Sequence, residues 1–360
     1  MKVCEMSFPS SWTTSPQQPD VRFFERAAQR QSILTKPAGS LGRLENAAVQ
    51  LAGLQGTDTP TLERIQISVF AGDHGICEEG ISAYPQAVTA QMIANFANGG
   101  AAISVLAKSL GAELEVINLG TVSDVPPDLP GVIDARIAPC TRNFAATDAM
   151  TTEQVCAALN HGDAAAQRAA DKGSQLFIGG EMGIGNTTSA TAIASSLMGK
   201  NPMKLTGPGT GLNVAGVRHK AEVIILAIQR HDNDDDGEDA IAVLKAFGGF
   251  EIAALAGAIA GCAARSIPVL IDGYIVSVAA MLAVSQQPHI RDWLLFAHRS
   301  AEPGHQAILA ALDAEPLLDL GMRLGEGSGA AVAIPLLRAA CDLHNNMASF
   351  EDAGVSNKEQ

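Results

Sequence analysis

A recurring unit constrains this chain more than any other feature: an apolar, β-branched run, then a glycine turn, then an alanine-rich stretch. Ile65–Ala71 (IQISVFA) leads into Gly72-Asp73-His74-Gly75. Residues 175–178 (QLFI) lead into GGEMGIGNTT (179–188) and then Ser189–Met198. Ile267–Ile271 (IPVLI) leads into Asp272-Gly273 and a helical pattern through Ala283. Residues 113–119 (ELEVINL) follow a helix-like 100–110, and 293–297 (WLLFA) form a further short run. Runs without polar alternation are buried on both faces, and helices between them give a parallel sheet. Such a sheet binds its ligands beyond the carboxyl ends of its strands. The turns at 72–75, 179–188, 272–274 and 298–302 are therefore expected along one rim. Residues 20–54 and 302–345 read as helical, so the two chain ends are expected to pack together as a second lobe.

Charge and cysteine usage narrow the function classes. Lys+Arg number 24 against 38 Asp+Glu, a net charge of −14, which removes the cationic surplus that nucleic-acid binding requires. An acidic protein still binds a small phosphate where backbone amides and a few local cations supply the field. With 47% hydrophobic and 17% charged residues the chain has material for a large core, which excludes global disorder. Neither a signal-peptide-length apolar run at the start nor an uninterrupted apolar stretch of membrane-spanning length stands out. Cys4, Cys77, Cys140, Cys156, Cys262 and Cys341 are scattered, without a C-x-x-C pair. The expectation is a reduced, cytoplasmic protein without a disulfide framework or structural zinc.

Among the motifs, 179–188 is a strand-to-helix turn whose amides suit a phosphate. Gly180-x4-Gly185-Asn186-Thr187 nearly matches a Walker A loop, but Asn186 stands where a lysine must reach the β/γ-phosphates, so a monophosphate fits better than a nucleoside triphosphate. Glu181 within it is either a site carboxylate or a solvent-facing loop acid. Gly207-Pro208-Gly209-Thr210-Gly211 is a second glycine loop, but Leu212 breaks a dinucleotide fingerprint. Arg218 and Lys220 follow it, as anion ligands or as ordinary surface charges. Gly325-Glu326-Gly327-Ser328-Gly329 opens a very apolar helix. Glycines let a ligand approach the backbone, and a carboxylate in apolar surroundings gains a pKa suited to a base; a helix-start acid is the plainer alternative. Asp73-His74 reads as a cap or an acid/base site, with no carboxylate–histidine cluster in the neighbouring sequence. His298, Glu302 and His305 are a mixed cluster lacking a further metal ligand. HDNDDDGED (231–239) starts like a calcium loop, but Val243 occupies the position that needs glutamate, so a solvated loop is the reading. Ser40 in KPAGSLGRLE (36–45) is a candidate cap for the next helix.

Taken together, KPAGSLGRLE (36–45), AGDHGICEEGISAYPQAVTAQM (71–92), FIGGEMGIGNTTSA (177–190), GPGTGLN (207–213), GGFEIAALAGA (248–258), PVLIDGY (268–274), HRSAEPGH (298–305) and MRLGEGSGAA (322–331) resemble the nicotinate-nucleotide–dimethylbenzimidazole phosphoribosyltransferase family. The resemblance spans nearly the whole chain in order. It implies an α/β fold: a Rossmann-like parallel sheet with flanking helices (59–300) plus a small helical domain built from the two chain ends (1–58 and 301–360), in a homodimer. It implies transfer of the 5-phosphoribosyl group of nicotinate mononucleotide to a benzimidazole nitrogen, with inversion at C1′ and without a cofactor or metal. Glu326 takes the role of base, with Glu181 assisting at the same ring nitrogens. Gly183, Asn186, Thr187, Lys220, Gly273 and Ser300 look like the nucleotide side. Tyr84, Pro85, Met182 and Leu324 look like the walls of the benzimidazole slot. The implied partners are these two small molecules, with neither nucleic acid nor membrane. The competing readings are a Rossmann-type oxidoreductase, which G-x-G-x-x-G would have supported, and a non-catalytic carrier of nucleotides or benzimidazoles.

Overall fold

The computed structural model describes residues 7–231 and 239–356. Cys4 and the acidic run at 232–238 lie outside the described residues. Six strands form one sheet: β1 (Ile65–Gly72), β2 (Glu113–Gly120), β3 (Val132–Asp134), β4 (Leu176–Met182), β5 (Val269–Ile271) and β6 (Leu294–Phe296). Their spatial order is β3-β2-β1-β4-β5-β6, and every pairing is parallel. Each parallel neighbour needs a crossover, and the alanine-rich stretches supply them. The chain winds outward from β1 through β2 to β3, returns over the sheet, and winds outward again from β4. The order reverses between β1 and β4, and a ligand crevice opens beyond the carboxyl ends of such a pair.

β1 is buried at all eight positions; its polar members are satisfied, Ser68 by Glu115 and Gln66 by Lys172. On one face lies the Phe250–Ala264 helix, in which all residues but the last are buried. It is apolar all round because it sits between the sheet and the Thr152–Asp171 helix, which starts with a Thr151/Gln154 capping box. The two helices touch backbone to backbone: a Cβ at Gly162 would collide with the Ala254 carbonyl, and one at Gly257 with the Leu159 carbonyl. Gly162→Val is expected to cost about 1–3 kcal/mol through overpacking, read as a lower urea midpoint. An unchanged midpoint would show that the helices can part without cost.

Three features differ from expectation. β3 went unread because it is three residues long, half-exposed and on the sheet edge. β4 continues through Gly179, Gly180 and Glu181 to Met182 instead of ending at Ile178; these glycines serve a close contact described below, not a turn. Between residues 302 and 345 only His305–Ala311 and Ser328–Asn346 are helical, and the intervening segment is irregular.

At the chain ends, the Arg43–Gln55 helix packs against both Val21–Ile33 and Ser328–Asn346. Arg30 donates to the carbonyls of His344, Asn345 and Met347, closing the last turn of the final long helix. Lys36 pairs with Glu45 at 2.9 Å and fixes the connecting loop. Gly42, not Ser40, caps the second helix, and Glu45 accepts the Leu41 amide. Two outlying pieces lie on the sheet layers instead. Ser11 Oγ donates to Asp163 at 2.7 Å, Trp293 Nε1 donates to the Gln17 carbonyl, and His305–Ala311 packs on Tyr274–Gln286. Among the described residues no helix is long and apolar enough to cross a membrane.

Candidate active site

The rim beyond β1 carries two buried acids with different tasks. Asp73 accepts Thr89 Oγ1 at 2.6 Å and the Val122 amide at 2.9 Å, tying the β1 and β2 turns together. This is the capping role. His74 Nε2 lies 2.7 Å from Glu251 Oε1, and both side chains are fully buried. The carboxylate missing from the local sequence thus arrives from 177 residues away.

Beyond β4, the turn enters the Asn186–Met198 helix. The Asn186 amide bonds to the Gly183 carbonyl and the Thr188 amide to the Gly185 carbonyl, so much of the first turn is internally satisfied. Asn186 Nδ2 donates to Glu181. The cationic feature of this corner is Lys220, 1% exposed, whose Nζ donates to Thr187 Oγ1 at 2.6 Å. Burial pulls its pKa down to about 8, opposed by Glu302. Gly209 closes over this pair: a Cβ there would lie 2.8 Å from Thr187 Oγ1 and 3.5 Å from Lys220 Nζ. Arg323 Nη1 donates to the Gly209 carbonyl at 2.9 Å. Arg218 points away and pairs with Glu222 on the surface.

Beyond β5 and β6 the three members of the mixed cluster separate. His298 Nε2 lies 3.6 Å from Asp272 Oδ1. Glu302 sits near Lys220 and Arg323, and burial raises its pKa against their attraction. His305 Nδ1 accepts the Ser300 amide at 2.7 Å, so its Nε2 carries the proton toward Ser277 Oγ at 3.0 Å. Burial, aided by nearby His298, drops its pKa to about 3, keeping the ring neutral.

Glu326 closes the constellation. It sits at φ +66°, between Gly325 at +86° and Gly327 at +84°. A glutamate in the left-handed region is strained, and the strain persists only where surroundings impose it. Here they do. β4 presses on the turn, since a Cβ at Gly180 would collide with the Glu326 carbonyl, and one at Gly325 with the Glu181 carboxyl. Glu326 is 6% exposed, and its Oε2 has no hydrogen-bond partner among the described residues. Burial raises its pKa; the Ile103 amide opposes this and Asp272 reinforces it. Glu181 is pushed up to about 8 by burial, then by Glu251, Asp272 and Glu326, with Asn186 opposing. Four carboxyls thus surround one small region, and burial pushes the pKa of the two foremost, Glu181 and Glu326, upward.

A small cavity of about 40 Å³ opens beside this turn, lined by Glu181, Gly273, Ser300, Glu302, Arg323 and Leu324 among others, with Gly325 but not Glu326 in its wall. It joins Leu324, expected in the base slot, to Gly273 and Ser300, expected on the nucleotide side. Tyr84 and Pro85 are exposed on the turn that Gln86 fastens to the His74 carbonyl, and they do not line this cavity. Met182 ends β4 half-buried beside Ala71. A roomier groove, about 410 Å³, lies at the far end of the Asn186–Met198 helix beside Lys200 and Ile228; it contains none of the acids, so the smaller cavity is the better candidate. Sequence reasoning missed Glu251, Asp272 and Arg323 as site residues. All three fall inside the matched stretches 248–258, 268–274 and 322–331, but no spacing marks them out.

The family model described as phosphoribosyltransferase, DBI_PRT, matches residues 16–355. The chain belongs to this family. A phosphoribosyltransferase of Pseudomonas putida KT2440, named nicotinate-nucleotide–dimethylbenzimidazole phosphoribosyltransferase, is 59% identical over 96% of this chain and 98% of its own. One of the same name from Pseudomonas aeruginosa PAO1 is 56% identical over 96% and 98%. The crystal structure of CobT from Thermus thermophilus superposes with a TM-score of 0.89 at 42% identity, covering 94% of this chain and all of that one. The phosphoribosyltransferase fold is thus the six-stranded parallel sheet described above, and the chain is a transferase. The oxidoreductase reading is set aside.

Proposed function

We propose that the chain transfers the 5-phosphoribosyl group of nicotinate mononucleotide to 5,6-dimethylbenzimidazole, giving α-ribazole 5′-phosphate and nicotinate for the lower ligand of cobalamin. The observation that carries the mechanism is the Glu326 carboxylate, buried on a strained turn beside Glu181 with an oxygen unpaired among the described residues. In this reading the bond from C1′ to the pyridinium nitrogen breaks with its electron pair leaving on nicotinate. The ribosyl centre passes through an oxocarbenium-like state. A benzimidazole nitrogen attacks from the opposite face, which inverts C1′. The other ring N–H, made acidic by that bond, gives its proton to Glu326. Burial holds Glu181 largely protonated near neutral pH, so it adds little like charge beside Glu326. Lys220, Thr187 and the Gly209 loop hold the phosphate, with Gly183, Asn186, Gly273 and Ser300 along the nucleotide. Leu324 walls the aromatic acceptor, whose slot in this reading extends beyond the cavity toward Met182, Tyr84 and Pro85, none of which lines that cavity. The 1–58 and 301–360 segments act as the unit that presents Glu326 to the 59–300 domain, in a cytoplasmic homodimer.

Mixing the protein with nicotinate mononucleotide and dimethylbenzimidazole is expected to release nicotinate and an α-configured nucleotide in equal amounts. Nicotinate release without that product would replace transfer by hydrolysis. Lys220→Met is expected to raise KM for the nucleotide about 10–100-fold, the scale of one hydrogen bond to a charged group, with a smaller change in kcat. The sign of the pH dependence follows. Below about pH 8 the buried ammonium is charged; above it the charge is lost. In the native enzyme kcat/KM for the nucleotide should fall above that pH, and the Met variant should lack this limb. A limb that survives in Lys220→Met would assign it to another group.

A further inference from the structure

We infer that Asp272 is a positioning residue for the transfer, holding the 325–329 turn and thereby the carboxylate of Glu326. The inference rests on Glu326 being the base. Asp272 is the first residue past β5 and is 1% exposed. Its Oδ1 accepts the Ala330 amide at 2.7 Å, in the first turn of the Ser328–Asn346 helix. Its Oδ2 is buried without a hydrogen-bond partner among the described residues, so the Ala330 amide is its one hydrogen-bonded contact there. That helix has no side-chain cap from its own sequence, because Gly327 occupies the cap position. First-turn amides need an acceptor and favour an anion; Asp272 provides both from across the sheet.

The turn is therefore gripped from three directions. The β4 backbone at Gly180 abuts the Glu326 carbonyl. Asp272 holds the Ala330 amide that follows. His298, beside Asp272, fills the space against Gly329, where a Cβ would collide with the imidazole ring. Without the acceptor, three consecutive left-handed residues would be free to relax, and Glu326 would swing from its place. A displacement of one ångström at a reacting group costs on the order of 10²-fold in rate. Asp272 also faces Glu326 and raises its pKa, while Glu181 from β4, largely protonated, adjoins them. Opposing this are the Ile103 amide from the Ala102–Leu110 helix and Ser328, the first residue of the helix that follows the turn.

Asp272→Ala and Asp272→Asn separate the two effects. The alanine variant is expected to lose about 10²-fold in kcat with KM for nicotinate mononucleotide within three-fold or so. The asparagine variant keeps an acceptor for Ala330 and should recover most of the turnover. Its acidic limb of kcat should move to lower pH, because one negative neighbour of the base is gone. Equal losses in both variants with KM rising in step would mean a general structural role and overturn the inference, as would an unimpaired alanine variant. If Asp272→Ala does not fold, the asparagine variant decides: an unmoved acidic limb refutes the proposal. Glu326→Gln measured alongside keeps the two readings apart. If it remains active, the base assignment fails; if it is dead while Asp272→Ala turns over normally, only the positioning role fails.

Discussion

Glu326→Gln should lower kcat by about 10²–10⁴-fold, the usual contribution of a positioned base, while KM for nicotinate mononucleotide stays within a few-fold. Glutamine keeps the shape of the side chain and loses its ability to take a proton. The turn geometry does not depend on the carboxylate, because it is held by the Gly180 contact and by Asp272 through the Ala330 amide. The nucleotide corner at Lys220 and Thr187 does not depend on it either. The loss should therefore fall on chemistry alone, seen as slow nicotinate release by an enzyme that still binds the nucleotide in a titration. The native enzyme should lose kcat on the acid side at a pH above the usual carboxylate range, since burial raises the pKa of Glu326. Turnover within ten-fold of native would end the assignment.

His74→Leu should be the most destabilising single change near the site, by about 3–5 kcal/mol. It strips the partner from Glu251 in a pair whose side chains are both fully buried, and breaking such a pair costs far more than its presence contributes. Glu251 Oε2 already has no hydrogen-bond partner among the described residues, so loss of His74 leaves the whole carboxyl unsatisfied. The double variant His74→Leu/Glu251→Leu should recover much of the loss, since replacing both partners by apolar groups is often close to neutral. Urea midpoints at a constant denaturant slope measure both. A loss below about 1 kcal/mol in the single variant would show that water reaches the pair.

The sheet was legible because five of its strands are largely apolar, β-branched stretches buried along most of their length. β3 is not: a half-exposed three-residue edge has no pattern to detect. The glycines of β4 misled for a physical reason. In a linear sequence, glycine signals a turn, yet Gly180 is there because the Glu326 carbonyl presses on it from the far end of the chain. In the candidate site, Glu326 was visible through its flanking glycines and Lys220 through the loop before it. Glu251 sits in an ordinary apolar helix, and Asp272 reads as the first residue of a turn. Their significance lies in partners that only folding supplies, His74 for one and the Ala330 amide for the other.

The left-handed backbone at Glu326 sets foldability against turnover at a single codon. Asparagine or glycine would occupy φ +66° with less strain. A selection that rewards heat tolerance alone would drift toward them and yield sturdier, silent proteins. On the proposed assignment of Glu326 as the base, an engineer seeking a hardier enzyme should leave that one position untouched.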